Sequence, residues 1–184
     1  MPKIIKDIES KIFSAAFSLF SQAGFRKTSM KKIADEADIA VGTLYNYYST
    51  KKEIFLEIIV KSWEKTFVRM DKLIEDEDKS FCDFLELLYK EIESRKGLGN
   101  EILKNNILPE DGFQILASVK DNVLLRLEKK FNQEFEISVL SKKEKDKLIN
   151  LIFISTVDLL NQYPDEKEEN LNFINKILKI INKN

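Results

Sequence analysis

Histidine is missing from this 184-residue sequence, and cysteine occurs once, as Cys82. Without histidine, a Ser-His-Asp triad, a Cys-His pair and a histidine-liganded metal site are all excluded. One cysteine cannot form a disulfide within the chain, which suits a reducing compartment. No glycine-rich phosphate loop follows a strand-like run, and no paired acids or nucleophile cluster stand out. These absences argue against an enzyme, and the sequence implies no cofactor and no metal.

Glycine and proline are also scarce, at five and three residues, so long helices are permitted almost everywhere. The charged N-terminus lacks the apolar core of a signal peptide. The most apolar run, 148–160, is interrupted by Asn150 and Asp158 and is too short to span a bilayer. With 43% hydrophobic and 33% charged residues, the composition is that of a globular protein. We expect a soluble cytoplasmic protein of one compact domain or two small ones, with no membrane partner.

Positive charge is concentrated near the N-terminus. Residues 1–52 hold nine Lys/Arg and five Asp/Glu, a net charge of +4, whereas the remainder holds 21 and 26, a net charge of −5. A basic end on an acidic body suits phosphate binding by that end alone. Ordinary fluctuation of charge along the chain is the alternative explanation.

Helical periodicity runs through almost every segment, and no period-two strand or internal repeat is apparent, so the sequence predicts an all-α fold. Gly24 is the expected C-cap of the first helix, and Ser141 with Glu144 forms a capping box. The expected helices span about 4–23, 29–37, 40–46, 50–74, 80–95, 101–107, 110–134, 141–162 and 165–181. The fourth of these is a long helix that can connect the N-terminal domain, here called the head, rigidly to the rest of the chain, the body.

The most informative stretch is 28–55, TSMKKIADEADIAVGTLYNYYSTKKEIF. Two short helical patterns, the first capped by Thr28 or Ser29, are separated by a tight polar turn and followed by the long helix. Helices this short are stable only when their apolar faces are packed. Two of them set around a turn form a helix-turn-helix, which presents its second helix to the major groove of DNA. We therefore predict a DNA-binding domain over 1–50 and a helical body over 51–184.

A helix that reads the major groove needs small or hydrogen-bonding side chains near its start and phosphate contacts at its ends. The third helix and its flanks supply small residues, hydroxyls, an amide and two lysines. Lys31 and Lys51 each lie near the start of a helix, where the positive end of the helix dipole adds to their charge. The simpler alternatives are that Thr43 is a surface hydroxyl and that any single lysine is a solvated charge, while Tyr48 is assigned to the core. The candidate DNA contacts are Ser29, Lys31, Val41, Gly42, Thr43, Tyr45, Asn46, Tyr47 and Lys51.

Several rigid spacings occur together between Phe17 and Phe55: Phe20, Gly24-Phe25, Thr28-Ser29, Ile33-Ala34, Ala37, Ile39, Gly42-Thr43-Leu44-Tyr45, Tyr47-Tyr48, Lys51 and Ile54-Phe55. In these residues the chain resembles the DNA-binding domain of the TetR/AcrR family of transcriptional regulators. The likeness covers the first third of the chain. It implies a homodimer that binds a palindromic operator, with a body that binds a small molecule and then releases DNA.

Two residues depart from the family pattern. Asp38 stands where glycine is usual in the turn, and Asp tolerates the left-handed region. Ala40 stands where a capping residue such as Ser is common, and loss of that cap costs about 0.5–2 kcal/mol. We expect the turn to survive and individual DNA contacts to change.

The body offers fewer signals. Inward aromatic residues and polar residues within apolar faces are candidates for binding a small apolar ligand, although most such residues belong to the core of a protein: Trp63, Phe67, Phe84, Phe113, Asn122, Phe153 and Thr156. The last two helices are apolar nearly all round, which predicts burial on two sides and a dimeric four-helix bundle. A helix buried centrally in a monomer is the alternative. The candidate interface residues are Ile149, Ile152, Phe173, Ile174 and Ile177.

Together these features predict a ligand-responsive DNA-binding regulator, most simply a repressor. One rival is an architectural DNA-binding protein with no inducer. The other is a helical carrier of apolar ligands whose helix-turn-helix is incidental.

Overall fold

The computed structural model describes residues 3–95 and 110–181, with side chains from 7 onward and from 114 onward in the two ranges. Within these ranges every regular element is an α-helix, which confirms the all-α prediction. The predicted helix over 101–107 lies outside the described residues. The helices are α1 (Lys3–Lys27), α2 (Met30–Glu36), α3 (Val41–Tyr47), α4 (Lys51–Glu75), α5 (Phe81–Ser94), α6 (Glu110–Glu134), α7 (Lys142–Gln162) and α8 (Lys167–Ile181).

Side-chain caps fix where the longer helices begin. Thr50 Oγ1 accepts the backbone N–H of Glu53 at 3.2 Å, and the Glu53 carboxylate accepts the backbone N–H of Ser49 at 2.9 Å, so α4 begins at the next residue, Lys51. The predicted capping box at α7 is confirmed, since the Glu144 carboxylate accepts both the N–H and the hydroxyl of Ser141, at 2.9 and 2.6 Å. Bonds from side chains to backbone N–H groups at these two sites satisfy donors that a helix start leaves without partners. In the described part of the chain, no helix is long and apolar enough to cross a bilayer.

The chain divides into two compact units. The described residues of the first are 3–64, 94–95 and 110–117, and those of the second are 65–93 and 118–181. The first half of α4 therefore groups with the helix-turn-helix, and its second half groups with the body.

The first unit is built around an aromatic cluster. The Phe55 ring meets Phe20 and Phe25 edge-on, with ring centroids 5.1 and 5.0 Å apart, an arrangement that aromatic rings prefer. Each short helix fully buries apolar side chains, Ile33 and Ala34 of α2 and Leu44 of α3. Because α2 and α3 have only seven residues each, this burial is what makes them stable helices.

Gly24 breaks α1 before the helix-turn-helix begins. Its φ of 78° and ψ of 173° are non-helical, although the helix span continues to Lys27. The positive φ agrees with the predicted role of a glycine here, but the ψ lies outside the left-handed helical region. This combination of angles is essentially confined to glycine, so the residue sets the direction in which the chain leaves α1.

The second unit is held together by a further aromatic group and by the last turn of α6. The rings of Phe81, Phe131 and Phe135 are mutually packed, with centroids 4.8–5.5 Å apart. Near them, Gln133 Nε2 donates to the Ile74 carbonyl at 3.0 Å, and Lys130 Nζ donates to the Asp76 carbonyl at 3.4 Å. Glu134 accepts the backbone N–H of Phe81. One turn of α6 thus caps both the end of α4 and the start of α5.

Candidate DNA-binding site

The start of α2 is shaped by two neighbouring hydroxyls. Thr28 is buried, and its Oγ1 donates to the Gly24 carbonyl at 2.9 Å, which fastens the chain across the break in α1. Ser29 is exposed and extended, and its Oγ accepts the backbone N–H of Lys32 at 3.2 Å. Ser29 is therefore the N-cap of α2. Its hydroxyl lies at an exposed helix start, where backbone N–H groups and the helix dipole favour an anion.

The turn between α2 and α3 is closed by a Schellman motif in which an aspartate takes the usual place of glycine. Asp38 has a φ of 54°, as expected for a residue that tolerates the left-handed region. The N–H of Ile39 donates to the Ala34 carbonyl at 3.0 Å, and the N–H of Asp38 donates to the Asp35 carbonyl at 3.3 Å. This pair of bonds is the defining pattern of the motif, so the departure from glycine leaves the turn intact.

The α3 helix turns one face inward and leaves the other open. Leu44 is fully buried and anchors α3, while Val41, Thr43 and Tyr47 are half-buried. Ala40 precedes α3 in an extended conformation and provides no side-chain cap. The exposed residues are Gly42, Tyr45 and Asn46.

Gly42 lies on the open face of α3. A Cβ built on it would meet no atom within 4 Å, so packing inside the domain does not demand a glycine there. Gly42 is the second residue of α3, where glycine loses more conformational freedom on folding than alanine would. A residue that weakens the helix without improving its packing fits a place where another molecule comes close to the backbone.

The lysines predicted to contact DNA lie in different surroundings. Lys31 is exposed on α2. Lys51 is half-buried, and its Nζ donates to the carbonyls of Phe25 and Thr28 at 2.7 and 2.8 Å. The ammonium also lies 4.0 Å from the centre of the Phe25 ring. The structure thus gives Lys51 a place inside the head that sequence reasoning missed, and this geometry does not favour the predicted phosphate contact.

The predicted ligand residues that the structure describes lie in different surroundings. Trp63 belongs to the first unit, where the Arg95 guanidinium lies 4.7 Å from its ring centre. In the second unit Phe84 and Thr156 are fully buried, and the Thr156 hydroxyl donates to the Ile152 carbonyl at 2.8 Å, which is a bond within its own helix. Phe153 is half-buried, and the side chain of Phe113 lies outside the described residues.

Phe67 and Asn122 share one partner in the second unit, Arg126. The Arg126 guanidinium lies 4.4 Å from the Phe67 ring centre, and it donates to the Asn122 side-chain oxygen at 3.2 Å. It also binds the Asp71 carboxylate through two bonds, at 2.9 and 3.0 Å. A second group lies nearby in sequence, where the buried Glu91 accepts from Thr66 and pairs with Arg69, at 2.6 and 2.7 Å. Sequence reasoning found neither group, because the partners that lie on different helices are 22 to 59 residues apart.

The predicted interface residues separate into two sets. Ile149, Ile152 and Ile174 are buried within the second unit, at 3–5% exposure, so they form its interior and not an outer face. Phe173 and Ile177 are exposed, at 54% and 43%. The exposed apolar side chains of α7 and α8 are Leu151, Ile154, Phe173, Ile177 and Ile180. We call these five residues the apolar stripe.

The described residues form a helix-turn-helix with an open second helix and have only helices as regular elements, which is the arrangement found in helix-turn-helix DNA-binding proteins. Residues 12–58 match the family model described as bacterial regulatory proteins, tetR family. Residues 12–58 are therefore a DNA-binding domain of the tetR family of bacterial regulatory proteins, as the resemblance indicated.

Relatives in sequence and structure agree with this placement. The chain is 26% identical over 155 residues to the HTH-type transcriptional regulator YuxN of Bacillus subtilis, an alignment that covers 82% of this chain and 52% of YuxN. The chain thus spans about half the length of that relative. Two solved structures share the fold. The regulator FadR of Bacillus subtilis in complex with stearoyl-CoA has a TM-score of 0.68, 16% identity and 95% and 97% coverage of the two chains. A putative regulator of Saccharomonospora viridis in complex with choline has a TM-score of 0.73, 13% identity and 92% and 94% coverage.

Proposed function

We propose that this chain is a ligand-responsive repressor of transcription, which binds a palindromic operator as a homodimer. The observation that carries the DNA-binding part is the open face of α3, where Gly42, Tyr45 and Asn46 face solvent while Leu44 holds the helix in place. The surrounding residues 1–52 carry a net charge of +4. Exposed small and hydrogen-bonding groups on a basic domain are what reading of base edges between phosphates requires.

Selection from a random duplex library, followed by binding measurements at several salt concentrations, tests this proposal. The expected result is an enriched two-fold symmetric sequence, with half-site centres about 34–36 Å apart or a multiple of that distance. A protein that enriches no sequence but binds all duplexes alike is the architectural rival. A protein with no salt-dependent affinity for DNA contradicts the proposal and favours the carrier.

The apolar stripe supports the homodimer. Its five large apolar side chains, on two helices that contact each other, are 43–65% exposed in the single chain, and exposed apolar surface on this scale marks an interaction site. A second copy supplies the same stripe across a two-fold axis, so that two helices from each chain form a four-helix bundle. Two symmetric copies also present two α3 helices, which a palindromic operator needs.

The proposed effector is a small, largely apolar molecule bound by the body. The solved structure of FadR in complex with stearoyl-CoA supports this choice, and that of the Saccharomonospora viridis regulator in complex with choline shows that the fold can also hold a small cation. Because α4 has residues in both units, a change in the body can reach the head along one helix. Coupling of about 1–3 kcal/mol would change operator affinity roughly 5–150-fold.

A panel of acyl-CoA thioesters, free fatty acids and quaternary ammonium compounds tests the effector class. Binding can be followed through the fluorescence of Trp63, the single tryptophan, and operator release through DNA anisotropy. Acyl compounds are expected to bind and release DNA. Release by the ammonium compounds alone would contradict an apolar effector.

A further inference from the structure

Lys51 occupies a position that its predicted role does not explain. Its Nζ is 2.7 Å from the Phe25 carbonyl oxygen, 2.8 Å from that of Thr28 and 4.0 Å from the centre of the Phe25 ring. Two donors of the ammonium are therefore used on the protein itself, and its charge lies against an aromatic face.

The regular hydrogen bonds of α1 and α2 provide no N–H donor for either of these two carbonyls. Gly24 interrupts α1, so Phe25 lies beyond the regular part of that helix, and its oxygen accepts a long 3.4 Å bond from the N–H of Thr28. Thr28 precedes the N-cap of α2, so its oxygen belongs to neither helix. Buried or half-buried carbonyls need hydrogen-bond donors, and here a side chain from α4 supplies them.

Other side chains complete the same turn from within it. Thr28 Oγ1 donates to the Gly24 carbonyl at 2.9 Å, and Lys32 Nζ donates to the Lys27 carbonyl at 3.0 Å. Lys51 differs in reaching across from another helix, 23 and 26 residues further along the chain. Its bonds therefore connect the first turn of α4 to residues 25–28, which immediately precede the helix-turn-helix.

We infer that Lys51 is a positioning residue, which ties the start of α4 to the end of α1 and so sets the orientation of the helix-turn-helix, instead of donating its charge to a DNA phosphate. Two of the three ammonium donors are already engaged on carbonyls of the head, and the charge lies against the Phe25 ring. The charge that binds phosphate then comes from exposed lysines such as Lys31. This inference rests on the proposed DNA-binding function.

The salt dependence of DNA binding separates the two roles. Each phosphate contact contributes about 0.9 to the slope of log affinity against log salt concentration. Affinities of the wild type, Lys51→Gln and the control Lys31→Gln are measured on one mixed-sequence duplex at several salt concentrations. We expect Lys31→Gln to reduce the slope by about 0.9, and Lys51→Gln to lower affinity by the same factor at every salt concentration with an unchanged slope.

Hydrogen exchange gives a readout that a phosphate contact would not affect. Lys51→Gln keeps two N–H donors without the charge, and Lys51→Met keeps the apolar stem without donors. Faster exchange of the amides of residues 25–32 is expected in Lys51→Met without DNA, and a smaller change in Lys51→Gln. If the head unfolds in Lys51→Met but stays folded in Lys31→Gln, this result would also support the inferred role of Lys51 in connecting α4 to the end of α1.

A slope reduced by about 0.9 in Lys51→Gln, with exchange at 25–32 as in the wild type, would overturn the inference. Failure of the proposed function looks different, because the wild type itself would then show no salt-dependent affinity for DNA. The exchange measurement would in that case still decide whether Lys51 holds the head together.

Discussion

Tyr48 Oη donates a hydrogen bond to Glu57 Oε1 at 2.9 Å, and this bond joins the residue that ends α3 to the second turn of α4. The same Glu57 oxygen pairs with Lys61. Burial, and after it the neighbouring Glu57 carboxylate, raises the pKa of the Tyr48 phenol well above its usual value. The tie between α3 and α4 therefore depends on a neutral phenol.

The raised pKa of Tyr48 makes the head sensitive to alkali. A group whose pKa is higher in the folded state stabilises the fold fully below its unfolded pKa, near pH 10 for tyrosine, and loses this contribution as the pH rises further. Tyr48→Phe should cost about 0.5–1.5 kcal/mol at pH 7 through the lost hydrogen bond and should lessen the fall in stability above about pH 10. Urea unfolding at several pH values measures both effects. Tyr163→Phe, at a half-exposed tyrosine, is the control; equal alkaline losses in the wild type and Tyr48→Phe would refute this reading.

Gly42→Ala should separate stability from DNA binding. The added methyl meets no atom within 4 Å, and alanine is the better helix former, so the free energy of unfolding should rise by roughly 0.5–1 kcal/mol. The same methyl should weaken operator binding, because it occupies the open face of α3. Denaturant unfolding and DNA anisotropy measure the two effects. Asn172→Ala, at an exposed site on α8, should leave DNA binding unchanged, and unimpaired operator binding by Gly42→Ala would argue against close approach at this position.

A charge placed in the apolar stripe should produce monomers. Ile177→Glu puts a carboxylate into the proposed bundle, where a desolvated charge without a partner is costly. Light scattering after size-exclusion chromatography measures the mass in solution. Val139→Glu changes an even more exposed apolar residue, 67% exposed, outside the stripe, and should remain dimeric. Dimers that persist in Ile177→Glu and in Phe173→Glu would place the interface elsewhere.

The pair Arg126 and Asp71 should show measurable coupling in stability. Both bonds of the carboxylate-guanidinium fork are present, and the guanidinium also covers the Phe67 ring. Because Asp71 is about half exposed, at 46%, we expect a coupling energy of only about 1 kcal/mol from a double-mutant cycle of Asp71→Asn and Arg126→Met. A coupling energy of zero would mean that the paired bonds between Arg126 and Asp71 do not stabilise the fold.

Local sequence signals predicted local structure well. Ser141 and Glu144 marked the start of α7, and the substitution of Asp38 for glycine was compatible with its positive φ. Each of these features depends on residues within a few positions of one another, so the sequence contains the whole interaction. The head was recognisable for the same reason, since its spacings are short and rigid.

Contacts between distant residues could not be predicted in this way. Lys51 was predicted to contact phosphate because it brings a positive charge to a helix N-terminus, and nothing local shows that its ammonium also binds the carbonyls of Phe25 and Thr28. Periodicity showed that α7 and α8 are apolar on more than one side. It could not tell that Ile149, Ile152 and Ile174 face inward while Leu151 and Phe173 face outward.

The last turn of α6 bears on the order in which the chain can fold during synthesis. The bonds that complete the connection between α4 and α5 join residues 53 to 59 positions apart. This connection cannot close until α6 has left the ribosome, whereas the Lys51 bonds in the head span only 23 and 26 residues. The head can therefore fold early in synthesis, whereas the body can fold only after its later helices have been synthesised.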